Sequence, residues 1–268
     1  MTQTLTILNT MARAAVLLSV ACAVQANTGA DKGAEKGAEK AAEKDAAPAL
    51  AFKATASHYA NSNQPSGDDY NVRANYGSHV AWIGRYTQGQ GANNAALDQT
   101  RIGYEYVMPM PFGQITPSIQ TASGGFWGAS LSAQIGSPKL YAIVGLGRTN
   151  LRTYYNLNFD PNDAVTLGLG MRLPDKALLS AFVVRDDRLD TGQTVGHVVW
   201  RKDIGNGQRV TVDVARKQGR PDAQSESVSG NMMSFGYDYR NVFAKVTRDR
   251  KVNFANNDQT RVAAGFRF

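Results

Sequence analysis

"TRVAAGFRF", Thr260 to Phe268, places Val262, Ala264, Phe266 and Phe268 at every second position, with Arg261 and Arg267 between them. Successive side chains of a β-strand point to opposite faces, so the segment reads as a strand with one apolar face and one cationic face. A soluble chain rarely ends in this way.

The same period of two runs back through the chain to Leu50. "YNVRANY" sets Tyr70, Val72, Ala74 and Tyr76 against Asn71, Arg73 and Asn75. "VAWIGRY" sets Val80, Trp82, Gly84 and Tyr86 against Ala81, Ile83 and Arg85, and "RIGYEYVM" sets Ile102, Tyr104, Tyr106 and Met108 against Arg101, Gly103 and Glu105. "WGASLSAQI", "AVTLGLGMRL", "RVTVDVARK" and "MSFGYDY" continue the alternation, and no helical stripe of useful length competes with it. The core of a soluble sandwich favours Val, Ile and Leu. Here the apolar face carries aromatics near segment ends, and the other face is rich in Gly, Ser, Thr, Gln and Arg. A barrel in lipid wants that arrangement, with an apolar outside, aromatic girdles at the interfaces and a polar interior. Tyr76, Trp82, Tyr86, Trp127, Trp200 and Tyr239 are the expected girdle.

Connections point the same way. Short ones such as "NYGSH", "PMPFG", "GSPK", "LPDK", "DIGNGQ" and "YRN" alternate with mostly longer ones such as "QGQGANNAALDQ", "NLRTYYNLNFDPND", "DDRLDTGQ", "QGRPDAQSES" and "RKVNFANNDQ". One rim of short turns and one of longer loops is the organisation of outer-membrane barrels, so the expected fold is all-β: a transmembrane antiparallel up-and-down β-barrel of about fourteen strands. Twelve follows if Leu50 to Tyr76 is a periplasmic extension. Pro117 has no N–H to give a closed wall, so a bulge is expected there.

Before Leu50 the texture differs. Arg13, "AAVLLSVACAV" and "VQA" describe a secretory signal peptide over residues 1–26, and residues 27–49 form a low-complexity Ala/Glu/Lys/Gly leader read as a solvated spacer. The barrel is expected over residues 50–268. The longest apolar run, Ala14 to Val24, falls short of the roughly 20 residues of a spanning helix. Cys22 is the sole cysteine, so a disulfide is excluded and thiol or zinc chemistry has no ligand set; no cofactor and no metal are expected. A "SVAC" lipobox reading of Cys22 is weakened by Ser19, which stands where a large aliphatic residue is usual.

Signal peptide, alternating segments and an aromatic last residue together resemble the Gram-negative outer-membrane β-barrel proteins. In that family the last strand carries a polar-x-Gly-x-x-aromatic-x-aromatic signal read by the barrel-assembly machinery. Arg261, Phe266 and Phe268 fit it, with Ala263 where Gly is usual. The resemblance implies residence in the cell outer membrane, with outer-membrane lipids and lipopolysaccharide as neighbours.

By parity, Arg73, Arg85, Arg101, Arg172, Arg201, Arg209, Lys217, Lys245, Arg261 and Arg267 point into the lumen, against Asp69, Glu105, Asp213 and Asp238. An excess of positive charge on a low-dielectric wall concentrates anions, so the expected function is a channel for passive diffusion of small hydrophilic, preferably anionic, solutes. The net charge of +7 invites a nucleic-acid reading, but charge spread along alternating positions in an exported chain argues against it. Acidic residues gather in the longer loops, at Asp160, Asp163, Asp186, Asp187, Asp190, Asp222 and Glu226, where carboxylates can share divalent cations with lipopolysaccharide phosphates. A lipid-modifying hydrolase would need a His beside a Ser on the outer face; His58 has the facing but no serine at its i+2 position. A purely structural or export-associated barrel is the third reading.

Overall fold

The computed structural model describes residues 48–90, 96–155, 164–186 and 188–268; the expected signal peptide and all but the end of the leader lie outside them, as do Asp160, Asp163 and Asp187. The strands are β1 (Leu50–Asn61), β2 (Gly67–Tyr76), β3 (His79–Gln88), β4 (Leu97–Tyr106), β5 (Met108–Met110), β6 (Gly113–Ala122), β7 (Phe126–Ser137) and β8 (Leu140–Thr149). They continue with β9 (Val165–Arg172), β10 (Leu178–Asp186), β11 (Gln193–Gly205), β12 (Gln208–Gly219), β13 (Val228–Tyr239), β14 (Val242–Asp249) and β15 (Gln259–Arg267). Each pairs antiparallel with its neighbours in sequence, except that β4 and β5 pair not with each other but both with β6.

The sheet closes on itself. β1 pairs with β15 from Lys53↔Arg267 to Asn61↔Gln259, and the seam is extended where Phe52 N–H donates to Phe268 O at 2.7 Å and Phe268 N–H to Phe52 O at 3.0 Å. Closure leaves no sheet edge in the wall. β4 and β5 are two pieces of one strand: both pair with β6 in a single register, from Arg101↔Ala122 to Met110↔Gly113. The wall therefore has fourteen strands, and the twelve-strand alternative fails because β1 and β2 form a hairpin within it. The bulge expected at Pro117 is absent. Instead the β4–β6 ladder skips a step opposite Thr116 and Pro117 with no change of register, because the imino nitrogen offers no hydrogen to the neighbouring strand.

Turn chemistry sets the short rim. Asn206 (φ 52°) and Gly207 (φ 72°) both take the left-handed conformation that a two-residue hairpin matched to strand twist requires. Beside the same rim, Lys202 Nζ lies 2.7 Å from Asp175 Oδ2; with the Ala177 N–H it holds the Asp175 carboxyl below its ordinary range. The chain enters at Leu50, opposite Tyr76, and leaves at Arg267, so both ends of the barrel chain lie on this rim.

The outer surface is a band of exposed aliphatic and aromatic residues, among them Ile102, Leu131, Leu146, Leu167 (61% exposed), Leu169 (59%), Val198, Val214 and Met233. So much exposed apolar surface around a whole closed barrel is a lipid-facing surface, and the architecture is that of an outer-membrane barrel. Inside, small residues make room for large ones. A Cβ on Gly103 would overlap the Trp82 indole, and one on Gly170 would overlap the Tyr141 ring.

Candidate functional site: the barrel lumen

Directly paired residues share a face, so the register fixes what points inward. Arg73, Arg101, Arg172, Arg201, Arg209, Lys217, Lys245, Arg261 and Arg267 are all on the inner face, and the register adds Lys53, opposite both Arg73 and Arg267. Three expectations on β3 are corrected. Arg85 points outward beside Tyr70, and it is Trp82 and Tyr86 that point inward, opposite Arg73 and Asp69. Apolar residues stand on both faces of Val80–Tyr86, so alternation alone does not say which face meets lipid. Arg85 also sits near the end of its strand, above the apolar band, where an outward charge costs little. Of the other girdle residues, Tyr76, Trp200 and Tyr239 face outward near the short-turn rim and Trp127 near the opposite one.

Several inward cations are paired. Arg73 reaches Glu105 with two contacts of 2.7 and 3.3 Å, and Arg101 Nη2 lies 2.5 Å from Asp69 Oδ1. Both pairs cross over β3, and for Arg101 inward Gly84 leaves the space; a Cβ there would come within 2.9 Å of Asn71 Nδ2 and 3.3 Å of Arg101 Nη2. Arg267 pairs with Asp238 at 2.5 Å, Arg209 with Asp203 at 2.6 Å, and Lys217 with Asp249. His197 Nδ1 and Asp213 Oδ1 are 3.0 Å apart. Arg172, Arg201 and Lys245 have no hydrogen-bond or ion-pair partner for their side chains among the described residues.

Two loops narrow the lumen from opposite sides, which nothing in the pattern of alternation foretold. After β8, the chain turns in so that Tyr154 stacks on Phe126 (4.4 Å between ring centres) and donates its hydroxyl to Gln120 at 3.1 Å. Gln99, almost fully buried, holds this loop from both sides: its Oε1 accepts from Tyr155 N–H at 2.8 Å and its Nε2 donates to Thr153 O at 2.9 Å. Between β14 and β15, Val252 and Phe254 are buried, with Phe254 packed against Val195 and Ala215. Asn257 ties that loop back, accepting from Ser62 Oγ at 3.2 Å and donating to Asn61 Oδ1 at 3.2 Å.

A cavity of about 450 Å3 lies on the side of the first loop, walled by Ser57, Asn71, Ser118, Ser130 and Ser132 together with the Arg73–Glu105 and Arg101–Asp69 pairs. A second, of about 190 Å3, lies under Phe254 and is walled by His197, Asp213, Lys217 and Lys245. Arg261 borders both.

On the outer face, His58 Nδ1 is 2.7 Å from Asp68 Oδ1, the relation of a base to its orienting carboxylate. Among the described residues, none of the three histidines is hydrogen-bonded to a serine or threonine hydroxyl: His79 pairs with the Tyr104 hydroxyl and His197 with Asp213.

Fold and lumen thus define a transmembrane β-barrel with a polar, cation-rich interior narrowed by its own loops. No family model matches the sequence, and no curated protein matches it. Among solved structures, the chain is similar to the Acinetobacter baumannii outer membrane protein Omp33 at 12% identity, with 81% of this chain and 97% of that one covered and a TM-score of 0.48. It is similar to Pseudomonas aeruginosa OprD at 7% identity, covering 82% of this chain and 95% of that one, with a TM-score of 0.46. Salmonella typhi OmpF, solved with daunomycin, is 10% identical over 82% of this chain and 97% of that one, with a TM-score of 0.45. At these values the reading of function rests on this chain's own lumen.

Proposed function

We propose that the protein is an outer-membrane channel for passive diffusion of small hydrophilic solutes, and that it prefers anions. The observation that carries this reading is the group Arg172, Arg201 and Lys245, three inward cations with no hydrogen-bond or ion-pair partner among the described residues. A cation paired with a neighbouring carboxylate presents little net field to a passing ion; an unpaired one on a low-dielectric wall presents nearly its whole charge. Arg73 and Arg101, each tied to an acid, contribute polar walls and shape more than selectivity. The hydroxyl and amide groups around the larger cavity replace water contacts for a hydrated solute without holding it tightly.

The test is a planar-bilayer recording of the full-length mature protein in a KCl gradient near 0.1 M. Steady conductance with a reversal potential on the chloride side is expected. An inserted barrel that never conducts would end the channel reading, and a conducting barrel with cation selectivity would end the anion preference alone.

A further inference from the structure

Five outward arginines form a repeated device. Each stands two residues after an outward, exposed aliphatic residue: Ile83 before Arg85, Leu146 before Arg148, Val183 before Arg185, Val214 before Arg216 and Val246 before Arg248. All five lie on strands running toward the long-loop rim, within three residues of the strand's end. The register confirms the facing. Arg85 is opposite Tyr70, Arg185 opposite Val165 and Arg248 opposite Met233, all exposed on the outer surface. Below the ring, Lys202 beside the short turns is the sole charged residue on the outward face of the strands among the described residues.

The two boundaries of the apolar band therefore differ in chemistry. At the short-turn rim the outward residues are aromatic, among them Tyr76, Trp200, Tyr237, Tyr239 and Phe268. At the other rim guanidinium groups stand at the upper edge of aliphatic surface, five of them against the two outward strand carboxylates Asp68 and Asp98, with Tyr70 and Trp127 among them. Aromatic belts suit a headgroup layer of either charge. A ring of arginines suits an anionic one, because each planar fork can give two parallel N–H bonds to a phosphate while its stem stays on apolar surface. Arg85 and Arg248 have exposed acid partners in Asp98 and Asp258, and such surface pairs are weak and exchangeable. Arg148 bonds the Gly147 carbonyl, and Arg216 has no hydrogen-bond or ion-pair partner among the described residues.

We propose that this ring is a binding belt for the phosphate groups of outer-leaflet glycolipid, made directly by arginine rather than through shared divalent cations. It does not depend on what the lumen passes. The test uses the full-length mature barrel in nanodiscs of phosphatidylcholine doped with diphosphorylated lipid A or with the same lipid enzymatically dephosphorylated, in the presence of chelator, with barrel-bound lipid counted by native mass spectrometry. The wild type should retain the phosphorylated lipid and release it as salt rises from 0.1 to 1 M, since the screening length falls from about 10 to about 3 Å. R148Q/R216Q should retain about tenfold less, whereas K202Q on the opposite rim should retain as much as wild type. Wild-type β-sheet circular dichroism and an unchanged heat-dependent shift in gel mobility show that the double variant is folded. Equal retention of the dephosphorylated lipid by the wild type, a measurement that needs no variant, overturns the proposal. So does equal retention by a folded R148Q/R216Q barrel, or loss of retention once chelator removes divalent cations.

Discussion

Lys245→Glu reverses an inward charge that has no ion-pair partner among the described residues, Asp213 acting on it only from across the smaller cavity, and the size of the effect follows from Coulomb's law. Taking about 7 Å between the side-chain charge and a passing ion in a water-filled lumen, Coulomb's law gives about 0.6 kcal/mol per unit charge. Lys to Glu changes the wall by two units, which raises the anion and lowers the cation by about 1.2 kcal/mol each, or about 2.4 kcal/mol in their ratio. Over that distance at 0.1 M salt, screening reduces this to about half, and about 1.2 kcal/mol corresponds to a shift of about eightfold toward cations in the chloride-to-potassium permeability ratio. At 1 M only about a tenth survives, so the ratio should move by less than about twofold. Reversal potentials in KCl gradients centred on the two concentrations measure both figures. Lys245→Gln should give half the effect in free-energy terms, and Arg85→Glu, on the outer face, should give none. A folded, conducting Lys245→Glu barrel whose selectivity at 0.1 M equals that of wild type would refute the reasoning, and the anion preference with it.

Gln99→Ala removes both bonds that hold the loop at Thr153 and Tyr155, so single-channel conductance should rise and open-channel noise increase; unchanged traces would show that stacking of Tyr154 on Phe126 suffices. Leu167→Arg puts a charge on the lipid face and should cost about 2–4 kcal/mol in reversible folding into bilayers, whereas Thr166→Arg on the inner side of the same strand should instead reduce conductance. Replacing Phe266 and Phe268 together by Ser removes the Phe52–Phe268 stack at the barrel seam and the aromatics of the expected assembly signal, and should leave the protein in the periplasm; normal surface display would count against that signal.

The barrel was legible because its cause is local and repeated. Lipid on one side and water on the other impose a period of two on every strand, and in Tyr70–Tyr76, Arg101–Met108 and Thr260–Phe268 that period comes with faces of opposite chemistry. Strand number followed from counting turns, since hairpin signals such as Asn206-Gly207 act within a few residues. β3 shows where this stops. Both faces of Val80–Tyr86 hold apolar residues, and only the pairing of Trp82 with Arg73 and Gly103 decides that the indole is inside and Arg85 outside.

The net field of the lumen was beyond the sequence for a related reason. Arg73, Arg101 and Lys245 read alike in one dimension, yet two form ion pairs with acids thirty-two positions away across an intervening strand and the third forms none among the described residues. Whether a charge is cancelled depends on which distant strand lies beside it. The loops are the extreme case: Tyr154 and Phe254 sit in segments whose composition says only that they connect strands, and their burial exists because Gln99, Phe126, Val195 and Ala215 are brought opposite them by closure of the barrel. Alternation against lipid is a property each strand carries alone, so the sequence determined the wall; pairing across the lumen belongs to the closed barrel, so only tertiary structure decided what fills it.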